Sequence, residues 1–461
     1  MKKFKSLLIT VASMSAVALP VVASVSCGGP KVQDAQWPQT KVTQISLDNK
    51  VTKEVVEAAN VQAFPSIAVI TDSGLWDDKS FNQSSVEGAL TFRDQINKLF
   101  EQKQTVKDKD GKDVEVTTYP EGKSVKVNVI QPTEGQYPKT YDTLLAGGSK
   151  VWILSGFQHQ SPLSAYLKSK KAQLEKNGII IIGIDFAIED AQYANFYSLS
   201  FKVQESAYIV GQAIAEYLGN NADAAKRTTT SFGGGAFPGV TNFITGYLKG
   251  ILNYDTANAT KATKITGETA TPTSLPLNTD FKPSDKMTNT INTLLAQHPS
   301  VILPVAGSAT GKTLTSIRDQ KLDTKVIGVD VDQTLSYPDL KGYLMTSITK
   351  NVGQAIYDTL LYSIFGIDNK KVFASFNKDA AKNVNGSYKQ GWVGYSKSSL
   401  TNEAEAAKVN ALLDKYGKAF SSLSEDEINY VDGGQVVKGD NQNLQTGALI
   451  NALIAKINGT K

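Results

Sequence analysis

Ser66-Ile-Ala-Val-Ile70 runs into Thr71-Asp72-Ser-Gly-Leu75-Trp76-Asp77-Asp78-Lys79, and then into Ser80-Phe81-Asn82-Gln83 and on to Phe100. Five β-prone residues end at an Asp-Ser-Gly turn, and apolar residues at helical spacing follow at Val86, Leu90, Ile96 and Phe100. Ser80, with Gln83 three residues on, has the spacing of a capping box, so the helix is predicted to start near Phe81. The unit is strand, loop, helix. Its loop, 72–79, lies at the C-terminal end of the strand, where α/β proteins collect ligands.

The unit recurs outward from there. Buried-strand runs at 125–130, 151–154 and 179–184 alternate with helix-forming segments such as 163–176. A second series has strands at 228–232, 265–266, 301–305 and 326–329, with helices at 240–252 and 286–297. That alternation predicts two similar α/β lobes, each with a mainly parallel sheet flanked by helices. The polar, turn-rich stretch 103–122 reads as a surface β-hairpin or mobile insertion. Residues 421–461 form a C-terminal extension with a closing helix expected over 447–457.

The N-terminus has a different character. Lys2, Lys3 and Lys5 precede an apolar run from Leu7 to Val25 that ends in small residues and Cys27, the only cysteine of the chain. This is the layout of an export signal over 1–26, and a lone cysteine directly after it suits attachment of a diacylglyceryl group. Ser24-Val-Ser-Cys27 resembles a bacterial lipobox. Residues 27–62, with Pro30 and Pro38 and little apolar periodicity, read as a flexible tether between a lipid anchor and the folded part. The expected location is the extracellular face of the cell membrane.

Composition narrows the chemistry. With 48 Lys+Arg against 44 Asp+Glu, the net charge is +4, and the charges are interspersed, so no nucleic-acid footprint is read. Beyond Cys27 the thiols are gone and the histidines are His159 and His298, which excludes a Cys/His or His-rich metal site. No phosphate-binding loop of the G-x-x-x-x-G-K type is present; Gly233-Gly-Gly235 before a helix suits an anion or simply a tight turn. No cofactor, metal or catalytic residue is expected, and the chain reads as a binding protein rather than an enzyme.

Residues 71–90, and above all Asp77-Asp78-Lys79-Ser80-Phe81-Asn82-Gln83, resemble the signature segment of the basic membrane protein family of substrate-binding lipoproteins. Gly183-Ile-Asp185, Val326-Ile-Gly-Val-Asp330-Val-Asp-Gln333 and Thr346-Ser-Ile-Thr-Lys350 follow in family order, so the resemblance spans about 65–420. The lipobox and the Lys- and Asn-rich composition are similar to the mycoplasma-type members. The resemblance implies a type I periplasmic-binding-protein fold, two lobes joined by a multi-strand hinge. It places the N-terminal lobe at 63–198 plus about 346–378, with an insertion at 101–124, and the C-terminal lobe at 199–345 plus about 379–420. It also implies capture of a purine nucleoside by a monomer that serves an ABC permease.

Under that resemblance, Phe81 stacks on the base and Asn82 accompanies it, while Asp72 accepts from a ring N–H or exocyclic amine. Asp185 and Asp330, one per lobe, accept ribose hydroxyls, and Lys350 donates to a ribose oxygen. Phe157 or His159, after Gly156, lines the pocket, and Trp76, a bulky departure from the family pattern in the signature loop, stacks or covers it. Gly307 belongs to a ligand loop, although relatives carry Gly-Gly where this chain has Gly307-Ser308, and an aromatic where Leu303 stands. The rival expectations are a surface adhesin that uses 103–122 and the C-terminal extension, and a receptor for a sugar-type ligand.

Overall fold

The computed structural model describes residues 34–459 apart from 73, 134, 189, 190, 375 and 378. Cys27 and the export signal lie outside the described residues. The strands are β1 (Ser66–Ile70), β2 (Gln102–Lys107), β3 (Asp113–Thr118), β4 (Lys126–Ile130), β5 (Val151–Ser155), β6 (Ile180–Ile184), β7 (Phe196–Phe201), β8 (Thr228–Gly233), β9 (Lys264–Ile265), β10 (Val301–Val305), β11 (Lys325–Asp330), β12 (Leu344–Lys350), β13 (Lys382–Gly386) and β14 (Val393–Tyr395).

They build two six-stranded sheets. The first has the order β13-β7-β6-β5-β1-β4 and the second β14-β12-β11-β10-β8-β9. All pairings in both are parallel except that of β14 with β12. Helices cover both faces of such sheets, so interior strands are buried on both sides; every residue of β5 and of β10 is buried. The pair β2–β3 stands apart as an antiparallel hairpin, the first of the two forms expected for the insertion.

The chain passes between the sheets three times: after β7, after β12 and between β13 and β14. The crossings are stitched together. Lys202 N donates to Gly386 O at 2.9 Å and Asn351 N to Trp392 O at 2.9 Å. These crossings correct the sequence boundaries. Strand β12, cut at 346 by the expected boundary, belongs wholly to the second sheet, and the return to the first lobe comes with the helix Val352–Phe365. Strand β13, expected in the second lobe, pairs with β7 in the first. Gly88 and Gly353 let the helix Phe81–Phe100 and the returning helix touch, since a Cβ on Gly88 would lie 2.6 Å from Gly353 O.

The expected tether is also corrected over its described part. Residues 34–48 are a strap laid on the first lobe. Arg93 Nη1 donates to Asp34 at 3.1 Å, Val127 N to Asp34 at 2.9 Å, Ser46 N to Gln354 at 2.8 Å and Asp48 N to Tyr357 at 2.9 Å. Buried Glu87, in the middle of the helix Phe81–Phe100, accepts from the amides of Val42 (3.0 Å) and Thr43 (2.8 Å). The segment is held by its backbone amides, by the Asp34 side chain and by buried Val42, a pattern without the periodicity that marks a helix or strand in sequence.

At the other end, the helices Glu425–Asp432 and Thr446–Gly459 pack on the second lobe, the latter burying Leu449, Ile450, Leu453, Ile454 and Ile457. Fully buried Lys249 ties this extension down by donating to Tyr430 O (2.6 Å) and Gly433 O (2.6 Å). No helix among the described residues is long and apolar enough to cross a membrane.

Candidate ligand cleft

The C-terminal strand ends of the two sheets face each other across a cleft. From the first lobe come Asp72 beyond β1, Phe157 beyond β5 and Asp185 beyond β6; from the second, Gly307 beyond β10 and Asp330 and Lys350 at the ends of β11 and β12. Asp185 and Asp330 both hold left-handed backbone, with φ of 64° and 67°. Only glycine takes that region without cost. Aspartate tolerates it better than most residues, and strain of this kind concentrates where side chains must be aimed.

The helix Phe81–Phe100 starts as expected, but its cap is not Ser80, whose side chain makes no capping bond. Asp78 takes that role. Its carboxylate accepts from the backbone amides of Ser80 (2.9 Å), Asn82 (3.1 Å) and Gln83 (3.1 Å). Ser80 is thereby released to reach the other lobe, where its Oγ donates to Asp330 Oδ2 at 2.8 Å. Asn82 Nδ2 donates to Asp72 (3.2 Å) and Asp78 (3.2 Å). Two carboxylates on the nitrogen side fix the amide's orientation, which leaves Asn82 Oδ1 buried at the cleft wall with no partner among the described residues.

Burial dominates the electrostatics here. It pushes Asp72 up to about 6 against the hydrogen bonds from Gly74 and Asn82. It pushes Asp78 up to about 7 against three amides, with the Asp330 charge adding to the rise. Asp330 is also raised by burial, opposed first by Lys350. Lys350, 3% exposed, donates to Asp185 Oδ2 at 2.6 Å and to Gly239 O at 3.2 Å. Its ammonium lies 5.4 Å from the centre of the Phe81 ring and 5.1 Å from that of Phe243. Beside it, Phe157 of the first lobe stacks on Phe237 of the second, centroids 3.4 Å apart and planes 25° apart.

Asp72, Phe81, Asn82, Phe157, Asp185, Gly307, Asp330 and Lys350 all lie on the cleft wall. Two expected residues do not. Trp76 packs half-buried against the hydrophobic core. His159 is 0% exposed and held between Tyr141 Oη (2.8 Å) and Thr71 O (3.1 Å), and its burial lowers it to about 4, so it is a neutral core residue. The wall also contains Asp78, Phe237, Phe243 and Phe281, to which sequence reasoning gave no ligand role. Asp78 stood inside the quoted signature, and Phe237 follows the Gly233–Gly235 run after Ala236. That run is glycine because rings press on it: a Cβ on Gly234 would lie 2.6 Å from Phe281, and one on Gly235 2.9 Å from Phe237. Among the described residues no group of three or more His, Cys, Asp or Glu is placed to hold a metal.

Residues 64–366 match the profile of the Bmp family, described as ABC transporter substrate-binding protein PnrA-like. The chain belongs to this family. As a PnrA-like protein it is 23% identical to an uncharacterized lipoprotein of Mycoplasma genitalium, over 42% of this chain and 45% of that one, so the match spans less than half of that relative's length. In fold it is similar to a crystal structure of an ABC transporter solute-binding protein from Aeropyrum pernix K1, with TM-score 0.55 and 19% identity over 85% of this chain and 91% of that one. The architecture is that of the type I periplasmic binding proteins: two parallel-sheet lobes flanked by helices.

Proposed function

We propose that this PnrA-like protein captures a purine nucleoside, or a related nucleoside, between two closing lobes and delivers it to an ABC permease. In this reading it is a monomer held at the outer face of the cell membrane through a lipid on Cys27. The observation that carries it is the meeting, at the strand ends of both lobes, of phenyl faces with four aspartates and one lysine. A purine needs a flat apolar surface to stack on, which Phe81, Phe157, Phe237 and Phe243 supply. Its N–H groups need acceptors, which Asp72 and the free Oδ1 of Asn82 supply.

Ribose hydroxyls are donors too, and Asp185 and Asp330 approach from opposite lobes, so one sugar bridging them couples binding to closure. Aspartates outnumber the one ammonium on the wall, which disfavours a phosphate and sets a nucleoside apart from a nucleotide. A sugar-type ligand would use the same residue types. The surface-adhesin reading has the exposed β2–β3 hairpin in its favour.

Thermal unfolding against inosine, guanosine, adenosine, free bases, nucleotides and sugars tests the proposal, because a ligand of the native state raises the midpoint. The expected result is a shift with nucleosides that Phe81→Ala reduces. A shift with sugars alone transfers the site to the sugar reading. No shift from any of them removes the nucleoside reading, and product analysis of the same samples reports whether the ligand is turned over.

A further inference from the structure

We propose that Lys79, Ser336 and Tyr337 form a latch that sets how long the two lobes stay shut, acting on closure without touching the ligand. The proposal rests on the reading of the cleft as one that opens and closes; it does not depend on the ligand being a nucleoside.

The contacts form a compact set outside the cleft wall. Ser336, 1% exposed in the second lobe, donates through Oγ to the carbonyl of Lys79 in the first at 2.8 Å. The Lys79 ammonium lies 5.3 Å from the centre of the Tyr337 ring, within the range of a cation–π attraction. None of the three residues lines the ligand cleft. The ring has been given room: a Cβ on Gly311, in the helix Ala309–Asp319, would lie 2.6 Å from it. Such a contact set holds one lobe against the other whatever lies between them.

Lys79 is also held in an unusual pose. It has left-handed backbone, with φ of 57°, where a lysine is strained and must be restrained by its surroundings. The restraint is Gln83, whose Oε1 accepts from Lys79 N at 3.2 Å. Gln83 in turn donates to Glu87 (2.8 Å) and to Thr40 O of the strap (2.5 Å), while Glu87 receives the strap amides of Val42 and Thr43. Gln83 and Glu87 are thus positioning residues. They connect the N-terminal strap to the one carbonyl that meets Ser336 across the lobes.

The test is the distance between the lobes, by paired spin labels at Lys168→Cys and Lys286→Cys, both exposed, in a full chain carrying Cys27→Ser. Distances are recorded with no added ligand and with inosine. The direct lobe-to-lobe bonds predict a dominant closed population in the parent. Ser336→Ala and Lys79→Gln are each expected to raise the open-to-closed ratio about fivefold, the effect of losing one such interaction. Tyr337→Leu does the same, while Tyr337→Phe keeps the ring and leaves the parent's distances. Melting curves verify that each variant is folded.

The latch is overturned if Ser336→Ala and Lys79→Gln keep the parent's distances in both conditions. It is overturned equally if Tyr337→Phe behaves as Tyr337→Leu, or if the parent is already open without added ligand. Should inosine fail to bind, the nucleoside reading falls, and the distances recorded without it still decide the latch.

Discussion

Asp78 concentrates the residue-scale physics of the cleft. Its pKa of about 7 in the folded chain stands above the ordinary value of 3.8, so between those limits the folded state holds a proton that the unfolded state has released. Stability from this group is therefore fully present below about 4 and is lost as pH rises towards 7. Denaturant melts of the parent and of Asp78→Asn across that range are expected to show the parent's relative stability falling by a few kcal/mol, then levelling off above neutrality. For the ligand, removing the Phe81 ring is expected to cost about 1–3 kcal/mol of nucleoside affinity by calorimetry, the usual value of one stacked base. Asp185 and Asp330 were legible in the sequence because each closes an Ile-Gly-Xaa-Asp strand end. The exchange of roles between Ser80 and Asp78 was not, since both are good caps at permitted spacings and only the partner lobe decides which is used. His159 was misplaced for a similar reason: a histidine beyond a strand end looks the same whether it turns towards the cleft or into the core.

Among the elements, the strap is the least legible in sequence and makes the sharpest prediction. Glu87→Ala leaves the amides of Val42 and Thr43 without their acceptor, one of them buried, and a buried donor left unmade costs about 1–3 kcal/mol. The midpoint of thermal unfolding is expected to fall by several degrees, more than for the exposed Glu57→Ala taken as a control. Helices and interior strands were readable because their burial is periodic or continuous. The strap, β13 and β14 were not. Strand β13 reads Lys-Asn-Val-Asn-Gly, with its second and fourth residues exposed, and its membership of the first sheet comes from pairing with β7, not from any apolar pattern of its own. The closing helix of the extension, by contrast, was anticipated at 447–457 and found at Thr446–Gly459, because its row of Leu and Ile repeats at helical spacing.

For the whole molecule, the balance of charge in the cleft predicts selectivity. Four aspartates and one lysine should make a nucleoside monophosphate bind at least about tenfold more weakly than its nucleoside, and Asp330→Asn should narrow that gap, as competition calorimetry can measure. The two-lobed architecture was readable in the doubled series of strands, whereas the positions of the crossings were not, since those depend on which sheet each late strand joins. The crossings have a further consequence for how the molecule is made. Strand β7, ending at Phe201, finds its outer neighbour only at Lys382–Gly386, and the strap, near the start, is fastened by Gln354 and Tyr357. The first lobe is therefore assembled from segments that enclose most of the second. Its completion must wait for Lys382–Gly386, while the second lobe's consecutive strands β8 to β12 can gather earlier. Closing such long loops is entropically slow, so refolding should show an early phase reported from the second lobe and a late one in which Trp152, sealed inside the first, reaches its final fluorescence.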